Sequence, residues 1–148
     1  MKRAAQIIPS EGQPLDTVVL NYDDRFRRRI VLTCEGGLEF LLDLEQTTQL
    51  QDGDHLAFED GGFVLVKAAA EPLMKVSASS THHLLRLTWH VGNRHLPCEV
   101  HDDHLRLRYD HVIEHMLEHL DAKIERIEEP FNPEGGAYGH GRTHSHEH

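Results

Sequence analysis

The sequence predicts an α+β protein made of a small antiparallel β domain, a following βαββαβ domain and a flexible histidine-rich tail. Three features predict it. Residues 17–67 carry short apolar runs with a period of two, residues 76–129 switch between that period and a helical one, and residues 130–148 are rich in Pro, Gly and His.

In the first half the runs are TVVLNY, RIVLTCE, LEFLLDL, HLAFED and FVLVK, punctuated by Gly36-Gly37, Asp52-Gly53-Asp54 and Gly61-Gly62. Leu38, Phe40, Leu42 and Leu44 alternate with mostly polar neighbours, which puts one strand face on a core. Together the runs read as an antiparallel β domain over residues 1–71. No ionisable cluster there has catalytic spacing, so the expected role is a folded module or a peptide-docking surface. AAAEPLM, residues 68–74, combines small residues with Pro72 and marks the boundary to a second domain over residues 72–130.

That second domain starts with VSAS as a strand. Leu84, Leu85, Leu87, Trp89 and Val91 then recur at helical spacing, and Gly92-Asn93 supplies a left-handed stop. CEV and LRLRY read as strands turned by His101-Asp102-Asp103-His104. Asp110 caps a second helix, with Val112, Ile113, Met116, Leu117 and Leu120 as one apolar stripe. AKIERIEE is the last strand. The order βαββαβ is the split arrangement of ferredoxin-like domains. Residues 131–148 cannot build a core and are expected to form a flexible tail.

Composition narrows the function. The 148 residues carry a formal charge of -10, from 25 acidic and 15 basic residues, so nucleic acid and anionic membrane surfaces would repel the chain. The basic cluster Arg25 to Arg29 reads as the solvated lead-in to a strand. No stretch approaches the ~18–20 apolar residues of a membrane span. MKRAAQIIPSEG lacks the apolar middle of a secretory signal, so a cytoplasmic location is expected. Cys34 and Cys98 lie far apart without CxxC spacing, and reduced thiols are the default.

Histidine usage is the anomaly: there are 14, and all but His55 lie between His82 and His148. A neutral imidazole is a ready ligand for Ni, Zn, Cu or Co. Most of these residues have a plain explanation. His101 and His104 flank a polar hairpin turn. His111, His115 and His119 are spaced by four on the helix face opposite the apolar stripe, and His82 and His83 open the first helix, so a solvated surface suffices. Cys98, three residues after His95, reads as an inward-facing strand cysteine before a ligand. His95 differs, because VGNRHLP places it between a helix stop and Pro97, where its imidazole projects from a fixed backbone. One imidazole holds a metal poorly, but two chains meeting about a two-fold axis would supply two nitrogens to one ion. The tail residues His140, His144, His146 and His148, spaced irregularly and unlike an unbroken affinity tag, could add ligands at high local concentration.

WHVGNRHLP, LRLRYDHVIEHMLEHL and PFNPEGGAY before the His-rich end, in that order, closely resemble the UreE urease accessory protein family, the nickel metallochaperones of urease maturation. The resemblance covers residues 82–148; the β half fits that family's peptide-binding domain in size, class and position. It implies a homodimer joined through the ferredoxin-like domains, with His95 of both chains bridging Ni(II) and tail histidines adding ligands. It implies the GTPase UreG and the urease apoprotein activation complex as partners, and leaves Zn(II) or Cu(II) as ions that also bind. Some family members carry HxHV before the second helix. This chain has Tyr109-Asp110-His111-Val112, so only His111 carries over as an auxiliary ligand.

Two other classes compete. A metal-dependent hydrolase needs a closed ligand set with an open position and a placed acid or base, and no HExxH appears. A His-rich cytosolic metal buffer or sensor with a protein-interaction β domain would lose nearly all binding with its tail, whereas a carrier would keep one tight site per dimer.

Overall fold

The computed structural model describes residues 1–9 and 12–135. The chain divides into two compact units, the first Met1–Ala69 and the second beginning at Ala70. The first is mainly strand, and the second combines four strands with two α-helices.

The first unit holds β1 (Lys2–Ile8), β2 (Asp16–Leu20), β3 (Phe26–Thr33), β4 (Glu39–Gln49), β5 (His55–Phe58) and β6 (Phe63–Ala68), in the sheet order β2-β6-β5-β1-β4-β3. The expectation of a purely antiparallel domain is corrected: β1 runs parallel to β4 and β2 parallel to β6. The short connections β3–β4 and β5–β6 do make antiparallel pairs. Alternation within a strand records which face is buried, not the direction of the neighbour, so the two parallel pairs leave no local mark. β1 was itself illegible, since only Ala4 among its residues is fully buried. Phe40, Leu42, Leu44, Leu56, Phe58, Val64 and Val66 form the core, with the rings of Phe40 and Phe58 edge-on at 5.4 Å.

One corner is set by a side chain. The Asp16 carboxylate accepts the N–H groups of Thr17 at 2.8 Å, Gly36 at 3.0 Å and Leu38 at 3.4 Å. These bonds, Thr17 first, hold its pKa below the usual carboxylate value. Position 36 must be glycine for this approach, because a Cβ there would stand 2.6 Å from Asp16 Oδ2.

The second unit contains β7 (Ala70–Ser77), α1 (Thr81–Asn93), β8 (Glu99–Val100), β9 (His104–Arg108), α2 (His111–His119) and β10 (Lys123–Pro130). The sheet order is β10-β7-β9-β8, with every neighbouring pair antiparallel. Leu87 and Val91 of α1 and Leu117 of α2 bury against Met74, Val76, Leu105 and Leu107 of the strands. β7 is longer than VSAS, and AAAEPLM is largely strand. Pro72 is tolerated in this central strand because its carbonyl, which takes the Tyr109 N–H at 3.0 Å, faces β9 just past the last β7–β9 pair, Leu73 with Arg108. The missing N–H therefore falls beyond the ladder.

Both helices are capped at each end. Ser80 Oγ accepts from His83 N at 3.0 Å, and Asp110 Oδ1 accepts from Val112 N at 2.8 Å and Ile113 N at 3.1 Å. Each helix closes through a left-handed residue that is not glycine, His95 at φ 58° and Asp121 at φ 64°. Gly92-Asn93, expected to be the stop of α1, instead lies inside the helix.

The tail also begins later than expected. Phe131 is fully buried, Asn132 N donates to Glu99 Oε2 at 2.8 Å, and Glu134 N donates to the Cys98 carbonyl at 2.9 Å. Residues 131–134 are thus bound to the folded unit, because an aromatic and two backbone donors found partners that composition could not announce. Among the described residues no helix is long and apolar enough to cross a membrane.

Candidate metal centre

His95 occupies the first position after the C-cap of α1. Its N–H donates to the Gly92 carbonyl at 3.0 Å, and the Leu96 N–H reaches back to the Val91 carbonyl at 3.3 Å. These are the two crossed bonds of a Schellman motif, sealed by Val91 in the core and Leu96 against it. Glycine is the usual occupant, since a left-handed backbone costs an L-residue about 1–2 kcal/mol. Here an exposed imidazole stands there, on a backbone held from both sides. Strain of this kind persists where the surrounding structure over-determines the backbone, as the two crossed bonds do here.

The helix leading to His95 has two faces. Leu87 and Val91 are buried, whereas Leu85 and Trp89, four residues apart, are each 63% exposed. Sequence spacing puts all four in one apolar series, but at 100° per residue Leu85 and Trp89 lie across the helix from Leu87 and Val91. Their face continues through Gly92 and Asn93, both exposed, to the end that carries His95. Val112 likewise departs from its expected stripe and is exposed on α2.

The remaining histidines separate by environment. His111 is the first residue of α2 and is exposed, as are His115 and His119. His101 and His104 form the expected hairpin turn, with His101 N donating to the His104 carbonyl at 2.9 Å. Their rings stack at 4.3 Å, and each meets a carboxylate: His101 Nε2 with Glu99 Oε1 at 2.8 Å, His104 Nδ1 with Asp103 Oδ1 at 2.6 Å. The bond from His104 is the first cause holding the Asp103 pKa below the usual range. Glu99 is buried and spends its other oxygen on Asn132.

His83 corrects the reading of a solvated helix start. It is buried, its Nδ1 accepts the Ser79 N–H at 3.0 Å, and its Nε2 meets the Leu120 carbonyl at 2.7 Å. Those partners specify the neutral tautomer with the proton on Nε2, and they tie the start of α1 to the end of α2. Cys98 is disfavoured as a ligand. Burial first, then the charges of Glu99 and Glu134, push its thiol up to about 12, and a thiolate is the ligating form.

No three His, Cys, Asp or Glu among the described residues come together as a metal cluster. His95 is therefore not part of a cluster of three or more such side chains in the described part of its own chain. His140, His144, His146 and His148 lie outside the described residues. The exposed Leu85–Trp89 face is the surface feature that sequence reading missed. Its signal was present in the phase of the two residues against Leu87 and Val91.

Comparison with known proteins agrees with this layout. The N-terminal domain model of the UreE urease accessory protein matches residues 2–69, and the C-terminal domain model matches residues 71–148. A urease accessory protein UreE of Ruegeria sp. (strain TM1040) is 54% identical over 136 residues, 92% of this chain and 76% of that protein. One from Rhodobacter capsulatus is 47% identical over 150 residues, 100% of this chain and 94% of the relative. The chain covers a smaller share, 62%, of the relative from Bradyrhizobium sp. (strain ORS 278), at 54% identity. With both family domains matched in order across nearly the whole chain, the protein belongs to the UreE urease accessory protein family.

Proposed function

We propose that this chain is a homodimeric, cytoplasmic nickel metallochaperone, not an enzyme, that carries Ni(II) to apo-urease during assembly of the urease active site. The observation that carries the proposal is the exposed His95 imidazole, held in a left-handed helix end where glycine would be easier. The exposed Leu85 and Trp89 on the same helix support a two-fold contact, since an apolar face beside the site would be covered in a dimer. Two His95 side chains would then share one ion. His140, His144, His146 and His148 supply further nitrogens from the tethered tail, and His111 is an auxiliary ligand. Imidazole suits Zn(II) and Cu(II) as well, so these ions bind at the same place.

In this reading residues 72–130 form a ferredoxin-like metal-binding domain, residues 1–71 a domain that docks peptide segments, and the rest a histidine-rich tail. The partners are the GTPase UreG and the urease apoprotein activation complex. An exposed site of few ligands suits a carrier, because an ion held by a closed set would be slow to leave.

The test is a nickel titration with the particle mass measured in solution, beside an apo-urease activation assay. His95→Ala should remove the tightest site and delivery while the fold persists. Leu85→Asp with Trp89→Asp should give a monomer lacking that site. Deleting residues 140–148 should lower the ion count yet keep one ion per dimer. If the truncated chain binds nothing while His95→Ala keeps a full-affinity site, the protein is a tail-based metal buffer instead.

A further inference from the structure

The outward face of α2 carries a pair of imidazoles that the proposed centre does not use. His115 and His119 are four residues apart, both are exposed, and their ring centres lie 5.2 Å apart at an interplanar angle of 89°. We propose that these two side chains form a separate surface clamp for one divalent transition-metal ion per chain, distinct from the site at His95.

The geometry suits such an ion. A metal about 2.1 Å from an imidazole nitrogen stands about 3.2 Å from the ring centre, so two rings at about 90–109° around it have centres about 4.5–5.2 Å apart. The observed separation lies in that interval. Ring rotation about χ2 suffices to turn the nitrogens toward a common point, because that torsion is broad. The backbone is already fixed, since α2 is capped by Asp110 and closed by the left-handed Asp121, so chelation costs little ordering.

Charge points the same way. The pair occupies the last half of α2, whose C-terminal carbonyls give the partial negative charge that favours a cation. Glu118 Oε1 lies 3.9 Å from His115 Nδ1, beyond hydrogen-bond reach but close enough to add negative charge beside the pair. A chain of net charge -10 also draws divalent ions toward its surface. With two protein nitrogens and water in the remaining positions, the clamp exchanges its ion readily and holds it less tightly than a multi-histidine centre. His111 is on the same face one turn earlier, yet the ring contact on this face is between His115 and His119.

The experiment titrates nickel(II) into the full-length protein carrying His95→Ala, so that ions held at the proposed dimer centre do not mask the clamp. Further variants add His115→Ala, His119→Ala or His111→Ala. Ring signals are followed by NMR for paramagnetic broadening, and circular dichroism checks the helix, in which alanine is the best former. The result expected is broadening of His115 and His119 together. Removal of either should cost one weakly held ion per chain, its affinity falling at least about tenfold as a tethered second ligand is lost. His111→Ala should keep that ion. Unchanged ion counts in both clamp variants would overturn the proposal, and so would loss of the same ion in His111→Ala. Neither result bears on the His95 reading, which is tested in the chain that retains His95.

Discussion

Replacing His95 by glycine should make the protein more stable while disabling it. The residue sits at φ 58°, closing α1 through bonds from its own N–H and that of Leu96. A left-handed backbone costs an L-residue about 1–2 kcal/mol, and histidine, among the residues enriched there, falls at the low end. Glycine loses more freedom on folding, which takes back about 0.5 kcal/mol. The net gain is about 0.5–1 kcal/mol, a rise in Tm of about 2–8 °C for a unit of this size. His95→Ala relieves no strain and should melt at or slightly below the parent. Trp89, the only tryptophan, lies on the same helix and reports the unfolding of this unit by fluorescence. Both variants should lose the tightest nickel site, so stability and binding move in opposite directions only for glycine. If His95→Gly melts no higher than His95→Ala without metal, the claim that this position stores strain is refuted.

Three further outcomes follow from the same geometry. His83→Ala leaves the Ser79 N–H and the Leu120 carbonyl without their partner and should cost about 2–4 kcal/mol in urea unfolding, against less than about 0.5 kcal/mol for the exposed neighbour His82→Ala; similar small losses for both would disprove the tie between helices. Asp110→Ala removes the cap of α2 and should cost about 1 kcal/mol, with faster amide exchange at Val112 and Ile113 as the local signature. Asp16 has a folded pKa below the ordinary aspartate value of 3.8, so its stabilisation is present above 3.8 and is lost as pH falls through the lower folded value. The stability gap between the parent and Asp16→Asn should therefore shrink on acidification from about pH 5 to about pH 2, and a gap that widens instead would contradict the bonding described.

What was legible in the sequence is what local spacing encodes. The alternation through Phe40, Leu42 and Leu44 gave a strand with one buried face, as found, while Leu38 stands just before that strand and is half-buried. Asp110 before an apolar-periodic run gave a helix start, because an N-cap bond closes within three residues. The signature around His95 and the following helix pointed to the family, which both domain matches show. His115 and His119 were rightly placed on an exposed face, since helical period alone decides that.

Only the tertiary structure decided matters that depend on partners distant in sequence. The parallel course of β1 beside β4 and of β2 beside β6 depends on where each strand is received, and neither strand carries a mark of it. Histidine type could not separate His83 from His82; the carbonyl of Leu120, 37 residues away, did so by offering the buried ring an acceptor. Gly92 looked like the helix stop, but the burial of Val91 and the packing of Leu96 drew α1 on and put the left-handed turn at His95. Phe131 and Asn132 resembled tail until Glu99, on an edge strand, supplied a buried acceptor for the Asn132 N–H. In each case short-range preference proposed a local conformation, and the need to bury apolar surface with every polar group partnered chose among the proposals.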